Sequence, residues 1–204
     1  MLFDDTYKTI AAPAEGDFRD RGSKFLAFAY PITAEQQIKP IVEKLKNEHP
    51  KANHHCWAMR LTPDRGVFKL NDDGEPSGTA GRPILNTLLS QDVTNILVVV
   101  VRYFGGTLLG VPGLINAYKS AAVDALDKAQ MVSKTVNDVY AISFNYLQMN
   151  EVMRIIKESD LEVVSQVFDN DCRMELSIRK MQVNVILGRL EKVEGVAVNY
   201  VHTA

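Results

Sequence analysis

A run of apolar, β-favouring residues near the middle of the sequence predicts a central β-strand. Ile96 to Val101 are six consecutive apolar residues without polar alternation, which is the pattern of a strand buried on both faces. Four glycines follow between positions 105 and 113, where the backbone is expected to adopt positive φ or to allow a close approach. Small and apolar residues from 114 to 129 then predict a helix that lies close to the sheet. We expect this strand, loop and helix to organise the chain.

Shorter periodic segments predict the elements that precede this strand. Alternating or β-branched segments predict strands at 24–30, 54–61 and 67–70. Apolar residues at helical spacing predict one helix over 34–47. Pro83 suits the first turn of a second helix, because its missing N–H and fixed φ are both tolerated there.

The C-terminal third of the chain predicts a separate domain. Its pattern reads as strand, helix, hairpin, helix and strand, the β-α-β-β-α-β order of a ferredoxin-like fold. All eight prolines and ten of the twelve glycines lie at or before position 113. We therefore expect an α+β protein with two domains, 1–135 and 136–204.

Composition and charge limit the classes of function. The formal net charge is −2, so the chain is not a globally basic nucleic-acid binder, and a polyanionic partner would need a local basic patch. Cys56 and Cys172 stand alone, without metal-ligand spacing, and no secretory or membrane-spanning segment is evident. We expect a cytoplasmic protein without membrane insertion, bound metal or cofactor.

The glycine loop is the first candidate site. A glycine-rich turn between a strand and a helix can bring backbone N–H groups to a phosphate. The segment from Gly105 to Gly110 has the glycine spacing of a Walker-A loop, but it continues with Val111 and Pro112 where Lys and Ser or Thr are required. Nucleotide hydrolysis is therefore not expected. The alternative is that the glycines only allow a tight turn and close helix packing.

Clustered acids and a His-Cys pair are the candidate catalytic groups. Asp72, Asp73 and Glu75 could share acid and base roles or bind a hard cation, although the segment equally fits a solvated turn. His54 and Cys56 could share one face of a strand as base and nucleophile, although a buried Cys is commonly an apolar filler. No complete catalytic motif is present.

The basic residues supply a third candidate. Arg60 lies in a predicted hairpin, Arg82 begins a helix and Arg102 ends the central strand, so they could converge on a phosphate-binding surface. An ordinary charged surface is the alternative. For Arg102 a further alternative is a buried arginine that holds the strand end in an ion pair.

Two longer motifs resemble a known family. The segments DDGEPSGTAGRP at 72–83 and VVVRYFGGTLLG at 99–110 are similar to the paired motifs of the IMPACT family in its bacterial, YigZ-like, two-domain form. The resemblance also covers the segment HHC at 54–56 and the ferredoxin-like C-terminal region. It implies an N-terminal domain similar to domain IV of elongation factor G and a C-terminal domain similar to its domain V.

The resemblance also implies a role in translation. Eukaryotic relatives regulate translation by competing for the activator of a kinase, through an additional N-terminal partner-binding domain that this sequence lacks. We therefore expect a non-enzymatic protein that binds RNA or the ribosome, with a protein of the translation machinery as a further partner. An enzyme acting on a phosphorylated or acyl substrate is the alternative. The expected nucleic-acid-binding residues are Arg60, Arg82, Arg102 and Lys119. The residues expected to shape the site are Asp72, Asp73, Gly74, Glu75, Gly78, Gly81, Gly105, Gly106 and Gly110.

Overall fold

The computed structural model of the protein describes residues 5–169 and 171–203. These residues form two compact units, one from Tyr7 to Lys134 and one from Thr135 onward that also includes residues 5 and 6. Both units combine helices with sheets. The predicted α+β class with two domains is confirmed. Within the described residues, none of the helices is both long enough and apolar enough to cross a bilayer.

The N-terminal unit contains a five-stranded antiparallel sheet with helices on both faces. In chain order its elements are β1 (Thr6–Ile10), β2 (Ala14–Asp20), β3 (Ser23–Pro31), α1 (Ile38–Glu48), β4 (His54–Leu61), β5 (Val67–Asn71), α2 (Gly81–Ser90), β6 (Ile96–Tyr103), α3 (Gly110–Lys128) and β7 (Met131–Thr135). The sheet order is β2-β3-β6-β4-β5, and β1 pairs with β7 in a separate two-stranded sheet.

Strand β6 is the middle strand of this sheet, and both of its faces are buried. Ile96, Val98 and Val100 pack into the core shared with α2 and α3. Leu97 and Val99 pack into the core shared with α1. Burying each such side chain contributes about 1.5–3 kcal/mol. The prediction of a central strand buried on both faces is confirmed.

Helix α3 lies directly against the sheet because its inner face is made of small side chains. Ala117, Ala121 and Ala125 are fully buried on this face. A Cβ atom added at Gly16 on β2 would lie 2.3 Å from the backbone nitrogen of Ala125. The backbones of strand and helix therefore touch at this point, as the small-residue face predicted.

Three strands were not predicted. Strands β1, β2 and β7 contain few apolar residues and lie at a sheet edge or in the two-stranded sheet, so their backbone pairing has no strong sequence signal. The predicted helix at 34–47 begins one turn later as an α-helix, because residues Glu35–Gln37 form a 3-10 turn. Phe68 on β5 is 52% exposed.

The C-terminal unit contains a four-stranded antiparallel sheet and two helices. Its elements are β8 (Asn137–Phe144), α4 (Met149–Glu158), β9 (Glu162–Phe168), β10 (Cys172–Arg179), α5 (Val183–Leu190) and β11 (Ala197–Thr203). The sheet order is β11-β8-β10-β9. Its core is built from apolar residues of β8, β10, α4 and α5.

The C-terminal unit includes a residue from the beginning of the chain. Asp5 is buried, and its carboxylate accepts two hydrogen bonds from the Arg179 guanidinium, at 2.8 and 2.9 Å, and one from the backbone N–H of Met181 at 3.3 Å. The hydrogen bonds with Arg179 hold the pKa of Asp5 below its ordinary value. The ionised carboxylate is therefore the form that stabilises this unit.

We predict that Asp5→Asn destabilises the C-terminal unit by about 1–3 kcal/mol near neutral pH, because Arg179 loses its charged partner. The lowered pKa means that the wild-type advantage is present above the ordinary pKa of 3.8. This stability advantage should be lost as the pH falls below 3.8 and through the lower pKa that Asp5 has in the folded state. Hydrogen exchange of the β10 amides across a pH series measures the effect. Asp171→Asn, at an exposed position of the same unit, is the control, and equal effects of the two substitutions would contradict the prediction.

Candidate functional site

Four segments that connect the strands meet at one end of the N-terminal sheet. The backbone N–H of Asn53 donates to the carbonyl of Arg102 at 2.8 Å, and the N–H of Phe104 donates to the Asn53 side chain at 2.9 Å. The N–H of Gly105 donates to the Ser23 hydroxyl at 3.1 Å. The loop after β6 is therefore fixed to the start of β3 and to the segment before β4. The loop after β5 reaches the same end.

A buried ion pair lies beneath this end of the sheet. Arg102 Nη1 is 2.5 Å from Glu75 Oε1, and the two side chains are 7% and 3% exposed. The Tyr118 hydroxyl donates to the same carboxylate oxygen at 2.8 Å. The guanidinium carbon lies 5.5 Å from the ring centre of Phe25 and 5.6 Å from that of Phe104. The alternative in which Arg102 is buried and ion-paired at the strand end is thus the observed arrangement, not an exposed phosphate contact.

Cys56 belongs to the same buried network. Its sulfur lies 2.9 Å from the backbone carbonyl oxygen of Asp72 and 3.3 Å from the Tyr118 hydroxyl oxygen, and its single S–H proton can be donated to either. Burial raises the pKa of the Cys56 thiol and also that of the Tyr118 hydroxyl. A thiol that stays protonated is a poor nucleophile. His54, the expected base, uses Nδ1 in a 2.8 Å contact with the carbonyl of Asp73.

The carboxylate of Asp72 organises the beginning of α2. It accepts backbone hydrogen bonds from Gly78 at 2.9 Å, Ala80 at 3.1 Å and Gly81 at 2.8 Å. Helix α2 has no cap from its own N-terminal residue, so Asp72 satisfies N–H groups that the helix leaves open. This explains the long spacing between the acids and the helix in the sequence motif.

The neighbouring acid, Asp73, holds the loop to β4. It accepts from the backbone N–H of His55 at 2.7 Å and lies 3.4 Å from the Lys46 ammonium group. Gly74 follows with a φ of +89°, which an L side chain would strain. The three acids therefore have separate structural partners. Across the two described ranges, no cluster of three or more His, Cys, Asp or Glu is placed to hold a metal ion.

The glycine loop meets both expectations for its backbone. Gly106 and Gly110 have φ values of +86° and +70°. A Cβ atom at Gly105 would lie 2.0 Å from the carbonyl carbon of Gly22 in the β2–β3 turn. Gly105 thus permits close contact between two loops, whereas Gly106 and Gly110 allow the chain to turn into α3.

The four expected nucleic-acid-binding residues do not come together. Arg60 pairs with Ile96 in the register of β4 with β6, at the opposite end of the sheet from Arg102. It is buried, and its guanidinium contacts Asp92 at 3.5 Å. The prediction that Arg60 and Arg102 converge on one surface is therefore wrong. Arg82 and Lys119 are exposed on α2 and α3, and their role in binding stays a prediction.

The sequence interpretation missed basic residues that the fold brings to the loop end. Lys24 lies opposite Tyr103 at the end of β6. Arg21 is exposed in the β2–β3 turn, and Lys51 is exposed two residues before Asn53. Arg21, Lys24 and Lys51 lie 84, 81 and 54 positions before Gly105. The hydrogen bond from Gly105 to Ser23 connects the loop to the first of these segments. Only the strand pairing could have placed them together.

A cleft of about 450 Å³ opens at this end of the sheet. Its floor includes Glu75 and Arg102, and its walls come from the glycine loop and the start of α3. Three apolar side chains on these walls remain exposed: Phe104 at 45%, Leu108 at 81% and Val111 at 52%. Neighbouring exposed apolar side chains on a folded domain are typical of a binding surface.

Comparison with known proteins places these features in a family. A family model described as the Impact N-terminal domain matches residues 21–126. The IMPACT family member YigZ of Escherichia coli is 34% identical over 157 residues, which cover 76% of this chain and 77% of that protein. An IMPACT family member of Haemophilus influenzae is 32% identical over 85% of each chain. A crystal structure of a hypothetical protein superposes with a TM-score of 0.75, at 27% identity, over 98% of this chain and 99% of that chain.

We predict that Gly105→Ala destabilises the N-terminal unit by about 3 kcal/mol or more, because its methyl group would overlap the Gly22 backbone. Gly106→Ala should cost about 1 kcal/mol, since only its positive φ opposes the substitution. Gly66→Ala is the control, because Gly66 lacks positive φ and has only the Asp64 side chain nearby. Urea unfolding of the three variants checks the order, and equal costs at positions 105 and 106 would contradict it.

We predict that Arg102→Ala destabilises the N-terminal unit by about 3–5 kcal/mol, because Glu75 would remain buried without its cation. Arg82→Ala, on the exposed surface, should change stability by less than about 0.5 kcal/mol. A double variant, Arg102→Met with Glu75→Gln, should recover part of the loss because no buried charge is left uncompensated. Thermal melts measure all three. A small loss for Arg102→Ala would show that the pair is not energetically important.

Proposed function

The chain belongs to the IMPACT family, and on that premise we propose that it is a non-enzymatic regulator of translation that binds RNA or ribosomal particles. The observation that carries the proposal is a group of basic residues at the loop end of the sheet, the end at which the cleft also opens. Arg21, Lys24 and Lys51 come from two separate segments and lie at the loop end of the sheet. A local basic patch can attract a polyanion even though the net charge of the whole chain is −2.

The acids at the same end do not cancel this patch. Asp72 is engaged by three backbone N–H groups, and Asp73 by one N–H group and Lys46. Glu75 is paired with Arg102. Asp20 also lies at this end, 3.9 Å from the Arg21 guanidinium, so the two lysines carry the charge that a phosphate backbone would complement by releasing its counterions.

The chemistry of the buried network argues against the enzymatic alternative. The Cys56 thiol is fully buried and its pKa is raised, so a thiolate is disfavoured at neutral pH. The candidate acids serve as a helix cap, a loop anchor and an ion-pair partner. A site that acts by covalent or acid-base catalysis needs such groups free to reach a substrate.

The family premise also supports a finer assignment of the two domains. We assign 1–135 as a domain similar to domain IV of elongation factor G and 136–204 as a ferredoxin-like domain. The order β-α-β-β-α-β and the sheet order β11-β8-β10-β9 support the second assignment. The similarity to a translation factor also supports a protein of the translation machinery as a further partner.

We predict that the protein co-sediments with ribosomes at low salt, and that the association weakens steeply between about 50 and 500 mM salt. Lys24→Gln with Lys51→Gln should weaken binding and flatten the slope of log affinity against log salt by about 1.5, because two phosphate contacts are lost. Lys39→Gln with Lys44→Gln removes the same charge from the exposed face of α1 and should bind as wild type. Absence of co-sedimentation at the lowest salt would overturn the proposal, and equal effects of the two double variants would remove the patch as its basis.

A further inference from the structure

We infer that the cleft beside the glycine loop is a nucleotide subsite that takes one unstacked base of single-stranded RNA, with guanine preferred. The inference rests on the proposed RNA-binding function and names the part of the RNA that the cleft recognises. A volume of about 450 Å³ falls within the range of pockets that enclose a single small molecule, roughly 300–1,000 Å³. One nucleotide fits this size, whereas a helical segment of RNA does not.

The walls of the cleft suit the faces of a base. Phe104 is 45% exposed, and the exposed side chains of Leu108 and Val111 stand on the same loop and helix start. All four RNA bases can stack on an aromatic ring, because each base has a π-face. The Arg102 guanidinium already lies over one face of Phe104, which orients this ring at the cleft. The loop end therefore offers a partly exposed apolar platform that includes one aromatic ring.

The floor of the cleft suits the edge of a base. Arg102 is 6% exposed and lines the cleft, and its guanidinium is held there by Glu75. Glu75 lines the cleft beside it and uses one carboxylate oxygen, Oε1, for both Arg102 and Tyr118. A guanidinium donor next to a carboxylate acceptor complements guanine, which presents the O6 acceptor next to the N1–H and N2–H donors.

The entrance of the cleft suits a phosphate. Gly110 and Val111 line it and form the first turn of α3, a helix of 19 residues that has no side-chain cap. The N–H groups of such a turn have no partner within the helix, and the helix dipole favours an anion there. The cleft therefore has the start of α3 at one side, where an anion is favoured, and the Arg102 and Glu75 side chains at its floor.

A hydrophobic peptide is the competing occupant, because apolar walls alone would accept it. The floor and the entrance favour the nucleotide. An apolar peptide side chain would leave the open N–H groups of α3 without an anion, and unpaired buried polar groups weaken binding. The nucleotide uses the walls, the floor and the entrance at once.

The test measures binding of fluorescein-labelled RNA octamers to the full chain by anisotropy. The probes are octauridine and the same octamer with one central guanosine, adenosine or cytidine. The guanosine probe should bind most tightly. Phe104→Ala should weaken its binding about tenfold, because one base loses its stacking partner, and Leu108→Ser should weaken it several-fold. Phe68→Ala removes an equally exposed ring from β5 and should leave binding unchanged, which makes it the matched control.

The outcomes separate this inference from the proposed function. If wild-type protein co-sediments with ribosomes but Phe104→Ala and Leu108→Ser bind the guanosine octamer as wild type does, the subsite is wrong and the proposed function stands. Equal binding of all four octamers overturns the guanine preference. If the wild type binds neither ribosomes nor octamers, the proposed function fails and the subsite with it. Thermal melts of each variant verify that a loss of binding does not come from unfolding.

Discussion

The buried pair of Glu75 and Arg102 fixes the end of the sheet at which all candidate functions meet. Each charge alone would cost several kcal/mol to bury, so neither side chain can leave the other without a large penalty. Glu75 comes from the loop after β5, Arg102 ends β6, and Tyr118 on α3 donates to the same oxygen. One carboxylate thereby joins a loop, a strand and a helix. Because a buried ion pair adds little net stability over apolar packing, we interpret its role as positional.

The sequence predicted those parts of this arrangement that have a local signal. An apolar run with no alternation identified β6 as central, and the alanine face of α3 predicted its close packing on the sheet. The burial of Arg102 had no such signal. Its partner Glu75 is 27 positions away. The sequence pattern of an arginine after an apolar strand is the same whether its side chain lies in solvent or is buried beneath a loop. The same limit applies to Arg60, whose partner Asp92 is 32 positions away.

The acidic motif illustrates why residue type alone misled the interpretation of chemistry. Clustered carboxylates suggested a metal or an acid-base pair, yet each carboxylate faces a different group. Asp72 caps α2, Asp73 holds β4, and Glu75 meets Arg102. Adjacent residues in a tight turn point in different directions, so proximity in sequence does not produce proximity of the functional atoms. The basic residues show the converse, because Lys24 and Lys51 are distant in sequence and are brought to one end by strand pairing.

These anchors leave only a short part of the glycine loop free to adapt to a ligand. Gly105 is held against the β2–β3 turn, and Leu109 is buried where α3 begins. Between them, Gly106 has open space around it, and Leu108 is almost fully exposed. A site with a fixed floor and a short exposed rim loses less entropy on binding than a wholly flexible loop. The same geometry requires the apolar rim to remain in water when the cleft is empty, a cost that binding would recover.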